Sequence, residues 1–123
     1  MIDDQIKAAV GAHSLWKGRL RAAIDDGKTD LTVGGVRDDH QCTFGKWLHG
    51  PDLEAAAKQS KHYRECVELH RSFHQAAAAI LALALAGKKQ EAHTALEPGH
   101  DFDKISLNLT KAMMAWKDDK VHV

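Results

Sequence analysis

The chain has 123 residues, of which 44% are hydrophobic and 28% are charged, so it has the size and composition of one ordinary folded domain. Its 17 basic residues balance its 17 acidic residues, which argues against nucleic-acid binding, because that binding depends on neutralising phosphates. The same balance offers no basic patch for a membrane surface. We therefore predict a single domain over residues 1–123 that binds neither nucleic acid nor membranes.

The N-terminal segment and the cysteines predict a cytoplasmic protein that is not secreted. Residues 1–10 begin with acidic side chains and lack the basic segment and apolar run of a signal peptide. The longest apolar stretch, residues 76–86, is shorter than the ~20 residues that span a bilayer. We therefore expect Cys42 and Cys66 to be reduced thiols that serve as metal ligands or redox groups.

The first segment predicts an amphipathic helix. Apolar residues recur there at three- and four-residue steps with one histidine among them, at Ile2, Ile6, Ala9, His13, Trp16, Leu20 and Ala23. Gly27 ends this pattern. Residues 28–41 contain two adjacent glycines and several charges, so they predict a long loop with at most a little extended structure.

The middle of the chain predicts a short apolar turn and then a long helix. Residues 42–48 form the turn, and residues 52–60 predict a short second helix. The long helix is predicted for residues 62–86 and ends at Gly87. Its inner stripe consists of Tyr63, Cys66, Val67, His70, Phe73, His74, Ala77, Ile80 and Leu81.

The end of the chain is also helical in pattern. Residues 88–97 predict a short helix, and residues 101–120 predict a last helix. The last helix is expected to bury Phe102, Ile105, Leu109, Ala112, Met113 and Trp116. No strand pattern stands out, so the sequence predicts an all-α fold, a four-helix-type bundle with additional short helices.

Histidines interrupt two of these apolar stripes. His13 lies on the inner face of the first helix, and His70 and His74 lie four residues apart on the inner face of the long helix. One such pair is weak evidence in a chain with nine histidines. Three inward imidazoles are harder to explain, because each one left unpartnered costs roughly 1–3 kcal/mol, and a shared metal would partner all three.

Cys42 is the fourth candidate ligand. It lies in the short apolar turn, which can pack across the helices and bring a thiolate to the three histidines. Three imidazole nitrogens and one sulfur suit tetrahedral zinc. A set of four protein ligands is typical of a structural or regulatory site, because a catalytic zinc keeps one position for water.

Three motifs contain these residues: H-x-x-W at residues 13–16, C-T-F-G-K-W at residues 42–47 and H-R-S-F-H at residues 70–74. Their order and spacing resemble those of the chemoreceptor zinc-binding domain family, and the resemblance covers nearly the whole chain. It implies zinc held by His13, Cys42, His70 and His74. It also implies an all-helical fold that commonly forms a homodimer and has a regulatory role, so we expect no enzyme activity.

The resemblance also implies a signalling context. Members of the family are attached to bacterial chemoreceptors and diguanylate cyclases, so a partner in chemotaxis or in cyclic-di-GMP signalling is expected. Neither a receptor coiled coil nor a cyclase domain follows in this sequence. We therefore expect either a stand-alone member or an excised fragment.

Cys42 is the ligand that points to a stimulus. Zinc keeps a cysteine as thiolate, and a position at the start of a short helix favours the same charge. The thiolate is the form that oxidants attack. The resemblance to sensors of hypochlorous acid or of zinc availability supports this interpretation. We predict that oxidation of Cys42 or loss of zinc rearranges the bundle and alters a signalling partner.

Other residues have predicted places around this site. The dry shell of the metal is expected to contain Trp16, Phe44, Gly45 and Trp47. Cys66 is interpreted as a buried apolar residue, and it stays a candidate resolving thiol if the bundle opens. The remaining histidines are predicted to lie at the surface: His40, His49, His62, His93, His100 and His122.

Three alternative functions compete with that of a sensor. An iron-binding bundle of the haemerythrin or ferritin type needs carboxylates on the inner helix faces, whereas Glu65 and Glu68 only flank the stripe. A zinc hydrolase needs an open metal position and a general base, and the H-E-x-x-H motif is absent. A structural zinc module that dimerises a partner uses the same ligands, so the sequence leaves that alternative open.

Overall fold

The fold is built from α-helices that surround one long central helix. The computed structural model describes residues 2–40 and 42–118, and the described part contains no β-strand. Seven α-helices and one 3-10 turn follow each other along this part of the chain: α1 (Ile2–Ser14), α2 (Trp16–Asp26), α3 (Val33–Arg37), α4 (Thr43–His49), the 3-10 turn (Ala57–Gln59), α5 (Lys61–Leu85), α6 (Lys89–Leu96) and α7 (Asp101–Asp118). The prediction of an all-α helical bundle is confirmed.

The first predicted helix is divided in two at Leu15. The Leu15 amide donates to the Ala12 carbonyl, three residues back, and the Ser14 hydroxyl donates to Gly11. Leu15 nevertheless keeps right-handed helical angles, with φ −80° and ψ −15°. The apolar face therefore continues across the break and buries Ile6, Ala9, His13, Trp16, Leu20 and Ala23 as predicted. The side chain of Ile2 lies outside the described residues.

Helix α5 is the centre of the bundle. It packs against α2, α3, α6 and α7, and its buried face includes most of the predicted inner stripe: Cys66, His70, Phe73, His74, Ala77, Ile80 and Leu81. Tyr63 and Val67 are only partly buried. The helix stops where Gly87 takes a φ of +79°, a left-handed conformation that glycine adopts without steric cost. The Lys88 amide then bonds to the Leu83 carbonyl and closes the helix end.

Three local predictions are wrong, and the first is the turn at residues 42–48, where the structure has helix α4 (Thr43–His49). Residues 28–41 contain helix α3, which begins where the Thr32 hydroxyl accepts a hydrogen bond from the Gly35 amide and which buries Val36 in the core. This cap and this burial outweigh the two adjacent glycines. Residues 52–60 form only the 3-10 turn, and this turn ends at Ser60, which is extended because its hydroxyl accepts the Tyr63 amide and caps α5.

The last two helices match their predictions closely. Helix α7 buries Phe102, Leu109, Ala112, Met113 and Trp116, whereas Ile105 is partly buried. Residues 119 and 120, which were predicted to continue this helix, lie outside the described residues. Among the described helices, none combines the length and the apolar character needed to cross a membrane.

Candidate metal centre

Four metal-binding side chains from three different helices meet in the core. His13 lies in the last turn of α1, Cys42 is the residue that caps the start of α4, and His70 and His74 lie one turn apart on α5. We call these four residues the four-donor cluster. The three histidines are buried, and Cys42 is partly exposed. The fold therefore brings together all four predicted ligands.

The donor atoms of this cluster lie close to one another. The Nε2 atom of His70 is 3.1 Å from the Nε2 atom of His13 and 3.1 Å from that of His74. The same nitrogen is 3.3 Å from the Sγ atom of Cys42. All four donor atoms lie within 4.8 Å of one another.

Backbone carbonyls orient two of the three imidazoles. The Nδ1 atom of His13 lies 2.7 Å from the Ala9 carbonyl oxygen, and that of His74 lies 2.9 Å from the Val36 carbonyl oxygen. Because a carbonyl oxygen only accepts, each Nδ1 must carry the hydrogen and donate it. The Nε2 atom of each neutral ring therefore presents a lone pair to the centre of the cluster. Fixing a ligand ring in this way is characteristic of metal-binding histidines.

The donor set fits zinc better than it fits a network of direct hydrogen bonds. His70 Nε2 has three polar neighbours at 3.1–3.3 Å, but a neutral imidazole nitrogen carries at most one hydrogen. Zinc bonds to nitrogen and sulfur would place tetrahedral donors about 3.3–3.6 Å apart, close to the observed separations. Three nitrogens, one sulfur and no carboxylate are ligands that suit zinc.

A comparison with known families identifies the same chemistry. The profile of the chemoreceptor zinc-binding domain family matches residues 13–81, more than half of the chain, and this range contains all four donors. The chain belongs to the chemoreceptor zinc-binding domain family. No curated protein and no solved structure matches the chain. Zinc is the metal of this family, and its role in the family is regulatory.

Burial keeps the histidines of this zinc-binding domain neutral. Desolvation lowers the pKa of His13 to about 4, although the hydrogen bond to Ala9 opposes the change. Desolvation, followed by the nearby His74 and His13, lowers the pKa of His70 still further. The pKa of His74 is also lowered by desolvation, against the opposing effect of Val36. Neutral imidazole is the form that binds zinc, so at neutral pH these rings do not lose a proton when the metal binds.

Two opposing effects act on the pKa of the Cys42 thiol, and the amides at the helix start lower it as predicted. Burial raises its pKa, and this effect exceeds the opposite effect of the amides at the start of α4, among them the Gly45 amide 3.3 Å from Sγ. The helix start therefore does not make Cys42 a thiolate without the metal. Zinc binding is expected to release this proton.

The predicted shell residues lie at different depths. The Phe44 ring meets the rings of His13 and His70 edge-on at 5.9 and 5.1 Å, and the Trp16 ring meets His74 at 6.1 Å. Gly45 contacts the cluster through its amide. Trp47 lies one layer further out, between Phe44 and Trp116 of α7, at ring distances of 5.8 and 5.6 Å.

Two contributors to this site were missed as site residues. Phe73 lies 5.1 Å from His13 and 5.7 Å from His74, and its place between two inward histidines on the α5 stripe could have indicated this. Val36 accepts the hydrogen bond that orients His74, and no sequence signal marks a backbone carbonyl for that role. Among the histidines predicted at the surface, His49, His62 and His93 are partly buried. His122 lies outside the described residues.

A cavity of about 420 Å³ adjoins the four-donor cluster on the side of α1 and α2. Its lining includes His13 and Cys42 of the four-donor cluster. Trp16 and Arg19 form another part of the lining, with the Arg19 guanidinium 4.3 Å from the centre of the Trp16 ring. Cys42 is partly exposed and lines this cavity, whereas Cys66 is fully buried.

The zinc-free protein is expected to lose stability as the pH falls below about 6.5. The unfolded chain binds protons at His13, His70 and His74 near that pH, whereas the folded state keeps these rings neutral to a lower pH, about 4 for His13. The unfolded state then holds more protons, so the free energy of unfolding decreases with falling pH. Thermal melts between about pH 7.5 and about pH 4.5 measure this dependence.

The variant His13→Gln should lower the number of protons taken up on unfolding by up to one, so the stability should depend less steeply on pH. The variant His100→Gln changes an exposed histidine and should leave that dependence unchanged. A melting temperature that stays constant over this pH range would contradict the prediction.

Gly45→Ala is expected to weaken zinc binding by at least about 10-fold. A Cβ atom at this position would collide with the backbone oxygen of Asp39 and lie 2.9 Å from its carbonyl carbon, so the segment leading to Cys42 would have to move. Competition with a chelator of known affinity measures the change. The control is Gly18→Ala, an exposed helical position with nothing within 4 Å, which should keep its zinc affinity. Equal affinities in the two variants would contradict the prediction.

Proposed function

We propose that this chain is a zinc-binding sensory module of bacterial signalling, with zinc held by His13, Cys42, His70 and His74. The convergence of three imidazole nitrogens and one sulfur carries this proposal, because it occurs in a chain of a zinc-binding regulatory family. Four protein donors would complete a tetrahedral shell and leave no position for a reacting water. A regulatory role without enzyme activity fits that arrangement, with residues 1–123 acting as one domain.

The proposed stimulus is an oxidant that reacts with Cys42, and hypochlorous acid is the example we favour. Bound zinc would keep the Cys42 sulfur as thiolate. That sulfur reacts with hypochlorous acid to give a sulfenic acid and chloride, so sulfur loses two electrons and chlorine gains them. The neutral sulfenic acid is a weaker ligand than the thiolate. Oxidation would therefore lower zinc affinity, and falling zinc availability would have the same effect.

The contacts of α4 support a route from this reaction to the rest of the bundle. Cys42 caps α4, its sulfur accepts the Gly45 amide, and Phe44 packs on His13 and His70. Trp47 of the same helix packs on Trp116 of α7. A change at the Cys42 sulfur would therefore move α4 and, through the two tryptophans, α7. We propose that an attached or separate chemoreceptor or diguanylate cyclase responds to this movement; a cytoplasmic location stays a prediction.

Matched cysteine variants test this proposal. Cys42→Ser keeps an oxygen that can cap α4 but removes the thiolate, so it should bind zinc weakly and show no zinc release on oxidation. Cys66→Ala removes only the buried thiol and should behave like the wild type. Zinc content and zinc release on addition of hypochlorous acid, followed with a zinc indicator, measure both effects. Release that persists in Cys42→Ser, or that disappears only in Cys66→Ala, would refute the oxidant mechanism.

Circular dichroism in the same experiment separates a sensor from a structural zinc module. A sensor should keep its helical content when zinc leaves, because the core contains many apolar residues besides the four donors. A structural module should unfold. An iron-binding bundle is the weaker alternative, since the four-donor cluster contains no carboxylate that could bridge two irons.

We further propose that the chain forms a homodimer through α7. Leu107 and Met114 lie seven residues apart on this helix and are 54% and 38% exposed, although large apolar side chains are usually buried. Leu107→Lys should therefore weaken the dimer, measured by sedimentation equilibrium. Leu15→Lys is the control, because Leu15 is 66% exposed but lies at the break between α1 and α2. A monomeric wild-type protein, or equal weakening by both variants, would refute this interface.

A further inference from the structure

A second group of metal-binding side chains lies beside the segment that leads to Cys42. Asp39 and His40 precede Cys42 in the chain, and His49 is the last residue of α4. Each residue offers a donor atom, and the three donor atoms lie within 4.8 Å of one another. None of these residues belongs to the four-donor cluster. We call them the Asp39 group.

Two atoms of the Asp39 group are buried without a hydrogen-bond partner. These are the Oδ2 atom of Asp39 and the Nε2 atom of His49, and Asp39 as a whole is 8% exposed. The two atoms face each other at 3.8 Å, which is too long for a direct hydrogen bond. A carboxylate oxygen that is buried and unpartnered is costly, so this arrangement needs an explanation.

A metal ion shared by the Oδ2 atom of Asp39 and the Nε2 atom of His49 would explain their arrangement. Bonds of about 2.0–2.2 Å to an imidazole nitrogen and to a carboxylate oxygen place the two donors roughly 3–4 Å apart. The observed gap falls in that range. Desolvation and the nearby His40 lower the pKa of His49 against the opposing effect of Asp39, which favours the neutral ring that can bind a metal.

His40 would supply the third donor from the solvent side. Its ring is stacked on that of His49, with the centres 3.8 Å apart and an angle of 15° between the planes. The lone pairs of two nearly parallel rings do not converge, so the ring of His40 must turn to share an ion with His49. Its exposed position leaves room for that rotation.

We propose that Asp39, His40 and His49 form a second metal site that takes a divalent transition ion such as zinc. Two imidazoles and one carboxylate suit the later first-row ions, and water would complete the shell. This site should bind more weakly than the four-donor cluster, because it lacks a thiolate and is partly exposed. The positive charges of Arg71 and Lys58, which also act on His49, weaken it further.

A metal ion in the Asp39 group would also affect the four-donor cluster. The backbone of Asp39 is in close contact with Gly45, whose amide bonds to the Cys42 sulfur. An ion in the Asp39 group would therefore hold the segment that carries Cys42.

Titration of the reduced, metal-free protein with Co²⁺ tests the second site. The first equivalent of Co²⁺ should give the intense near-ultraviolet absorption of a thiolate ligand. A second equivalent should bind with lower affinity and add no absorption of this kind. His49→Gln should lose the second equivalent, or bind it at least about 10–100-fold more weakly, and keep the first. Cys42→Ser should lose the thiolate absorption and keep the weaker site, so the two sites can fail independently.

Two further variants guard against misfolding and against adventitious surface binding. His40→Gln changes an exposed residue, so it should leave the fold and the first equivalent unchanged while weakening the second. His93→Gln removes a histidine that lies 3.1 Å from Asp25, a hydrogen-bonding distance, and should change neither equivalent. A single equivalent in the wild type would overturn the proposal. A second equivalent that survives in both His40→Gln and His49→Gln would overturn it as well.

Discussion

The burial of three neutral imidazoles against one another is the constraint on which the rest of this structure depends. Their Nε2 atoms converge within the core, and two of the rings can face each other only because backbone carbonyls of Ala9 and Val36 take their Nδ1 hydrogens. Two short helices contribute to this geometry. Helix α3 buries Val36 in the core, and the Cys42 sulfur caps the start of helix α4. Aromatic rings then exclude water on several sides, which makes each donor costly to leave without a metal.

The buried histidines also give Cys42 a different environment from that of Cys66. Both thiols have a pKa raised by burial, that of Cys66 to about 12, so neither is reactive through its own acidity. Cys42 differs because it points to the histidines and adjoins the cavity, whereas Cys66 fills the apolar face of α5. Metal binding, rather than the helix start, is what would make one thiol a thiolate. Chemistry at Cys42 is therefore tied to zinc occupancy.

Most of the fold was predictable because the long helices carry strong periodic patterns. The inner stripe of α5, the buried face of α1 and α2, and the end of α5 at Gly87 follow from the sequence. The short elements were not predictable, because a few residues with weak propensity take the conformation that their surroundings favour. Helix α3 shows this, since two glycines predict a loop and contact with α5 produces a helix.

The sequence by itself determined which residue types were available for a metal and which helical faces they occupied. His70 and His74 share a face through their spacing, and His13 interrupts an apolar stripe, so their inward orientation could be read directly. Only the tertiary structure decided which atoms meet. The tautomers of His13 and His74 depend on carbonyls that pattern does not reveal, and Trp47 proved to be one layer away from the donors. The approach of Asp39 to His49 was also decided by the tertiary structure. Asp39 lies in a loop, which has no periodicity, so its neighbours are set by how the helices pack.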